Sequence, residues 1–173
     1  LVRKPTTKRT ITARIIHPLE RVRAALRPDT ILVSLMMVNN ETGAINDIAA
    51  VARMLKAENS IALLHTDAVQ GFLKVPFSAK TLGADLITIS GHKIHAPKGI
   101  GALYIRSGLK LPPYIHGGGQ ERGLRSGTQN VAGAVALAIG LNESNARMQA
   151  QYRELVASRD MLIDAVRRIA PRA

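Results

Sequence analysis

The stretch "ITISGHKIHAPKGIGALYIR", residues 87–106, places one lysine, Lys93, between two short apolar runs. The runs cover residues 86–89 and 102–105, and their length and the glycines beside them predict two buried strands. The connection is too short for a helical crossover, so the second strand should run antiparallel to the first. A charged amine at such a junction costs free energy unless the protein uses it. The stretch therefore predicts a strand pair and a lysine with a function.

Upstream of this stretch, buried strands alternate with helices. The predicted strands cover residues 31–38, 61–68 and 85–90, and the predicted helices cover residues 17–26, 47–58 and 78–82. Asn46 precedes the second helix and is its predicted N-cap. This alternation predicts an α/β fold with a mixed, mostly parallel sheet that is flanked by helices.

The remaining segments have weaker patterns. Residues 1–16 are basic and rich in threonine, and they show no period that predicts a regular element. Residues 114–128 contain too much glycine and charge for a helix or strand. Residues 131–169 have a helical pattern, with a break expected near residues 140–145.

Composition excludes several classes of protein. The chain has 173 residues, enough for one domain with a core, and it contains no apolar run of bilayer length. It contains no cysteine, which rules out a disulfide scaffold and a thiolate metal site. Its first residues do not resemble a secretory signal. From these observations we expect a cytoplasmic protein.

The net charge of +12 is typical of nucleic-acid-binding proteins, but its distribution argues against that function. Residues 1–29 contain eight basic and two acidic residues and so contribute +6, half of the excess. Aromatic residues make up only 3% of the chain, so stacking platforms for single strands are scarce. We interpret the charge as a solvated basic arm.

Polar residues follow each main apolar run at its carboxyl end, where open α/β sheets bind their ligands. Each has an ordinary structural explanation: asparagine pairs make turns, aspartates cap helices and lysines reach water. His65 and Asp67 share a strand face and would suit a metal ion, but no third ligand is evident. Together the groups favour a binding site. They are Asn39, Asn40, Asp67, Gln70, Ser90, His92, Lys93, Arg122, Arg125, Ser126 and Thr128.

The chemistry of these groups points to one ligand. A lysine amine enclosed by apolar walls is a nucleophile towards a carbonyl group. Ser90 and His92, with backbone amides of the loop, suit a phosphate. Asp67 suits a cationic heteroaromatic nitrogen. An aldehyde, a phosphate and a pyridinium nitrogen occur together in pyridoxal 5'-phosphate (PLP), and Lys93 would be its covalent anchor.

Four motifs, in this order, resemble those of the class-V aminotransferase group, specifically the cysteine desulfurases of the NifS/IscS type. They are "MMVNNETG", "HTDAVQ", "SGHKIHAPKGIGALY" and "HGGGQERGLRSGT". The resemblance covers about residues 18–148. It implies a partial large domain of a PLP fold-type-I transferase over residues 17–145, preceded by the basic segment 1–16. Residues 146–173 would form a helix that leads toward a small domain.

The resemblance also implies roles for single residues. Lys93 would hold the PLP aldehyde and later move protons on the substrate. Asp67 would hydrogen-bond to the pyridine nitrogen and keep it protonated. The other contacts would be Gln70 on the phenolic oxygen, Asn40 near the substrate carboxylate, Ser90 and His92 on the phosphate, and Thr128 on the phosphate bound by the partner subunit of a homodimer.

The chain departs from the family in its catalytic groups. The family's sulfur-accepting nucleophile is a cysteine, and this sequence has none. The family's ring-stacking histidine and its carboxylate-binding arginine have no counterpart in this sequence either. We therefore expect a fragment of an enzyme that takes sulfur from L-cysteine or a related amino acid and passes it to an acceptor protein, as in iron–sulfur cluster assembly. The alternatives are a selenocysteine lyase or other class-V lyase, and a non-catalytic remnant that dimerises.

Overall fold

The computed structural model describes residues 9–13 and 19–170. In this part of the chain, five strands form one sheet in the order β1-β2-β3-β4-β5. The strands are β1 (Arg9–Ala13), β2 (Thr30–Met36), β3 (Leu63–Asp67), β4 (Leu86–Ser90) and β5 (Gly101–Ile105). The helices are α1 (Leu19–Ala25), α2 (Ile48–Ala57), α3 (Ala79–Leu82) and α4 (Val131–Ile169). A 3₁₀ turn at Gly91–Ile94 contains Lys93 and is called the lysine turn below.

The strand directions confirm the predicted mixed, mostly parallel sheet. Strands β1 to β4 are parallel to one another, and β5 is antiparallel to β4. Helices α1, α2 and α3 each lie between consecutive parallel strands, because a parallel pair needs a crossover connection. Between β4 and β5 the chain has only the lysine turn and residues 95–100, so it must reverse direction.

Strand β1 lies within residues 1–16, whose sequence pattern predicts no particular element. It pairs with β2 from Arg9 opposite Thr30 to Ala13 opposite Leu35. Threonine and isoleucine favour extended backbone, but the segment is too short to show a period, and pairing with β2 decides its conformation. Residues 1–8 and 14–18, which include the rest of this segment, lie outside the described residues.

The two faces of the sheet differ in character. On the helical face, defined by Val33, Leu35, Leu64 and Ile87, the strand side chains are buried against α1, α2 and α3. The helices contribute Val22, Ile48, Val51, Met54, Leu55 and Leu82 to this core. On the opposite side, called the polar face, Ser34, His65 and Thr88 are only partly buried. Side chains alternate between the two faces because successive residues of a strand point in opposite directions.

The start of α2 corrects one prediction. Asp47, not Asn46, is the N-cap, and its Oδ1 accepts a hydrogen bond of 2.8 Å from the backbone N–H of Ala50. Asn46 is buried, and its Nδ2 donates to the carbonyl oxygen of Met36 at 2.7 Å. Because the Asn46 side chain donates its hydrogen bond to the end of β2, Asp47 and not Asn46 caps α2.

Helix α4 corrects another prediction, because it runs from Val131 to Ile169 without the expected break. Gly140 lets the helix approach the lysine turn, and a Cβ there would lie 3.0 Å from the carbonyl oxygen of Ile94. Ser144 Oγ donates to the same oxygen at 3.1 Å. The contact offsets the cost of glycine in a helix, about 1 kcal/mol.

Candidate cofactor-binding site

The predicted polar residues that follow β2, β3 and β4 lie at one edge of the sheet. Asp67, the last residue of β3, pairs with Met36 of β2 and with Thr88 of β4. The backbone continues this pairing beyond the strands, since Met37 N–H donates to the Asp67 carbonyl and Ala68 N–H donates to the Thr88 carbonyl. The segments that follow β2, β3 and β4 therefore leave the sheet side by side.

Asp67 presents a half-buried carboxylate at this edge. Its Oδ1 accepts a hydrogen bond of 2.9 Å from the backbone N–H of Val69, so the carboxylate also stabilises the turn after β3. No residue in the described part of the chain donates to its second oxygen, Oδ2. That oxygen suits a cationic N–H donor from a ligand.

Gln70 and Lys74 follow in the same turn. Lys74 Nζ donates to Gln70 Oε1 at 3.4 Å. Gly71 packs closely beneath the turn, because a Cβ at this position would lie 2.5 Å from Met37 Sδ. The turn is thereby held against the residue that follows β2.

Ser90 and His92 form a polar pair where β4 ends. Ser90 Oγ lies 2.8 Å from His92 Nδ1. Both line a cleft of about 470 Å³, called the serine–histidine cleft, together with Lys98, Gly99 and residues 100–101. The cleft combines a hydroxyl, an imidazole and an ammonium group, which are suitable donors for a phosphate. Lys98 lies within the motif "SGHKIHAPKGIGALY" but is not among the predicted site residues, because a single loop lysine is usually solvated.

Lys93 is half-buried in the lysine turn. It lines a second cleft, of about 570 Å³, between this turn, the turn after β3 and helix α4. Lys74, His95, Met148, Tyr152 and Glu154 also line this amine cleft. Burial lowers the pKa of Lys74, and the nearby charge of Lys93 lowers it further. The structure therefore places two amines in one cleft, and the sequence pattern identified only Lys93.

The two neighbouring asparagines, Asn39 and Asn40, differ in burial. Asn39 is buried, and its Oδ1 accepts hydrogen bonds from the backbone N–H groups of Glu41 and Thr42 and from the Thr42 hydroxyl. The ordinary explanation, a turn residue, is thus confirmed for Asn39. Asn40 is exposed in the same turn after β2.

Thr128 stands apart from the strand ends. It is exposed in the loop before α4 and lines neither the amine cleft nor the serine–histidine cleft. The loop is irregular, as predicted, apart from a 3₁₀ turn at Glu121–Gly123 and a bridge between Ile115 and Arg125.

A hydrogen-bonded array crosses the polar face behind Asp67. Ser34 Oγ lies 2.7 Å from His65 Nδ1, and Thr88 Oγ1 lies 3.2 Å from His65 Nε2. Burial lowers the pKa of His65, while the charge of Asp67 partly opposes this effect. Burial thus favours the neutral form of His65.

Metal sites and membrane-spanning helices are both absent from the described residues. Among residues 9–13 and 19–170, no group of three or more histidine, cysteine, aspartate or glutamate side chains is arranged to hold a metal ion. In the same part of the chain, no helix combines the length and the apolar character needed to cross a bilayer.

Comparison with known families decides the identity of this fold. The family model described as "Aminotransferase class-V" matches residues 6–169. The chain belongs to the class-V aminotransferase family. Members of this family use PLP.

Individual members of the family agree with this assignment. The class-V chain is 45% identical over 150 residues to "Cysteine desulfurase IscS" of Methanosarcina thermophila, an alignment that covers 87% of the chain and 37% of the relative. A solved structure named "NIFS-LIKE PROTEIN" has a TM-score of 0.88 and 36% identity, over 96% of the chain and 53% of its own length. The structure "SspA in complex with cysteine" has a TM-score of 0.72 and 30% identity, over 86% of the chain and 52% of its own length. The chain thus spans about half or less of the length of each of these relatives.

Proposed function

We propose that this chain forms the PLP-binding floor of a cysteine desulfurase, with Lys93 as the covalent anchor of the cofactor. The observation that carries the proposal is that Asp67 ends β3 beside β4, and that β4 leads directly into the Ser90–His92 pair and Lys93. These residues offer an amine, a carboxylate and an anion-binding cleft, which fit the aldehyde, the pyridine nitrogen and the phosphate of PLP.

Each of these residues would have a separate task. Asp67 would accept a hydrogen bond from the pyridine nitrogen and keep it protonated, with Oδ2 as the available atom. Ser90 and His92 would hold the phosphate, with Lys98 adding positive charge beside them. Lys93 would hold the aldehyde and then carry a proton to or from the substrate. PLP supplies an electron sink for charge that develops on the substrate's α-carbon.

The remaining assignments rest on the resemblance. Gln70 would contact the phenolic oxygen, and the exposed Asn40 would face the substrate. Thr128 would reach the phosphate of a partner subunit, which fits its position away from both clefts and makes a homodimer part of the complete site. We further propose the division into residues 1–16, 17–145 and 146–173, with the last segment leading toward a small domain.

L-cysteine is the proposed substrate. Relatives are named cysteine desulfurases, and one related structure is described as a complex with cysteine. The complete reaction would give L-alanine and sulfur bound as a persulfide, for transfer to an acceptor protein. A persulfide needs a thiolate, and this chain contains no cysteine, so that thiolate would come from outside this sequence. The cytoplasm is the proposed location, because a chain without cysteine has no disulfide framework of the secreted kind.

Reductive trapping tests the PLP site. The chain is mixed with PLP, reduced with borohydride, digested and analysed by mass spectrometry. The proposal predicts a saturable absorbance change and a pyridoxyl label on Lys93. The Lys93→Met variant, a matched loss of the amine, should lose the label at residue 93 and the part of the saturable change that depends on it. Equal labelling of all surface lysines, with the same absorbance change in Lys93→Met, would overturn the proposal.

A further inference from the structure

Lys74 provides a second amine beside Lys93, and local structure fixes its position. The backbone N–H groups of Lys74 and Val75 both donate to the Gly71 carbonyl, at 3.0 and 2.8 Å. Leu73, just before Lys74, has a φ of 56°, in the left-handed region that non-glycine residues rarely adopt. A leucine keeps this conformation only where its surroundings impose it. The turn thus presents Lys74 to the amine cleft at the cost of backbone strain.

Lys74 is exposed to solvent at the edge of the amine cleft, and its surroundings lower the pKa of its amine. The charged or titratable groups that line the cleft are Lys74, Lys93, His95, Tyr152 and Glu154. Burial and the charge of Lys93 lower the pKa of Lys74. Its one hydrogen-bond acceptor in the described residues, Gln70 Oε1, is a neutral amide at 3.4 Å. Amines in such surroundings react with carbonyl groups, because only the neutral form has the required lone pair.

We propose that Lys74 is a second aldehyde-reactive amine in this cleft, able to take up phosphate-bearing aldehydes such as PLP. The choice of ligand rests on the proposed function, because the aldehyde is that of the proposed cofactor. The nitrogen lone pair of Lys74 attacks the carbonyl carbon and forms a carbon–nitrogen bond. The carbonyl oxygen leaves as water with the two protons of the amine, and a carbon–nitrogen double bond remains. No oxidant or reductant takes part.

The experiment compares labelling rates at single lysines. The Lys93→Arg variant keeps the positive charge of residue 93 but cannot form the covalent bond, so it isolates Lys74. Samples are mixed with PLP near pH 8, reduced with borohydride at intervals and digested, and each lysine is quantified by mass spectrometry. Lys56 and Lys80, which are exposed like Lys74 but do not line the amine cleft, are the internal controls. Lys74 should be labelled at least about threefold faster than either control, because its neutral fraction is larger.

A second variant separates the two causes of this reactivity. Lys93→Met removes the neighbouring charge, so labelling of Lys74 should slow relative to Lys93→Arg. It should still exceed labelling of the controls, because burial is the larger cause. Above about pH 11 the advantage of Lys74 should vanish, since exposed lysines are then neutral as well.

The labelling pattern distinguishes failure of this inference from failure of the proposed function. Equal labelling of Lys74, Lys56 and Lys80 in Lys93→Arg overturns the inference. If that variant does not fold, as judged by circular dichroism, the same comparison in the unsubstituted chain decides the question. There, labelling of Lys93 with Lys74 at control level supports only the proposed function. Fast labelling of Lys74 with Lys93 at control level supports only the second amine.

Discussion

The two faces of the sheet divide stability and chemistry between them. On the helical face, Val33, Leu35 and Leu64 are at most 2% exposed and pack against three helices. On the polar face, strands β2, β3 and β4 present Ser34, His65 and Thr88, which are joined by hydrogen bonds. His65 and Asp67 both lie on the polar face, and Asp67 is also part of the proposed site. The strands therefore use one set of alternate residues for the core and the other set to support the site.

The largest effect should come from the helical face. Leu64→Ala removes a side chain that is 2% exposed, and we expect the free energy of unfolding to fall by about 2–5 kcal/mol. The matched control is Leu63→Ala on the polar face, where the side chain is half-buried and the loss should be clearly smaller. Urea unfolding followed by circular dichroism measures both. Equal losses would contradict the division between the faces.

A smaller effect, on binding and not on folding, should come from Asp67. Asp67→Asn keeps the side-chain shape and can still accept the bond from Val69 N–H, so stability should change little. It removes the charge from the proposed bond to the pyridine nitrogen, and such a bond contributes about 1.5–3 kcal/mol. Affinity for PLP should fall about tenfold or more, with Lys93 still the labelled residue.

A fluorescence or absorbance titration with PLP measures this change in affinity. Asp47→Asn is the matched control, because it removes the same charge at the N-cap of α2 and leaves a residue that also caps helices. Equal affinities in the two variants would show that Asp67 is not the partner of the ring nitrogen.

The smallest effect concerns the pH dependence of the polar face. The folded chain lowers the pKa of His65, so the unfolded chain takes up a proton first as the pH falls below about 6.5. The free energy of unfolding should therefore decrease as the pH falls from about 7 through this range. His65→Asn should make the decrease smaller. Denaturation in urea at several pH values checks this expectation.

The exposed His116 provides the control for the pH experiment, since His116→Asn should leave the slope of the original chain unchanged. A slope in His65→Asn equal to that of the original chain would show that His65 contributes nothing to the pH dependence. The neutral form of His65 would then not be favoured by the folded chain.

Local patterns in the sequence were sufficient where neighbours along the chain decide the structure. The apolar runs before Asp67 and Ser90 gave correct strands, and the spacing of apolar residues in α2 gave a correct helix. The short connection around Lys93 gave the antiparallel direction of β5. The order of the motifs gave the family. These features depend on periodicity and on chain length between elements, both of which are written in the sequence.

Predictions failed where a residue's partner lies far away along the chain. Asn46 has the chemistry of an N-cap, but the carbonyl of Met36, ten residues earlier, uses its side chain. Gly140 is typical of a break, but the lysine turn packs against it and α4 continues. Strand β1 forms because β2 lies beside it. No local pattern contains these contacts.

For the proposed site, the sequence by itself determined which chemical groups are present and in what order they follow the strands. Only the tertiary structure decided which of them meet. The parallel register of β2, β3 and β4 places Asp67 beside the segments that follow its neighbours, and the turn at Leu73 places Lys74 in the cleft of Lys93. The physical reason is that residue type fixes the charge and reactivity of a side chain, whereas pairing of distant strands and close packing of turns fix the distances between side chains.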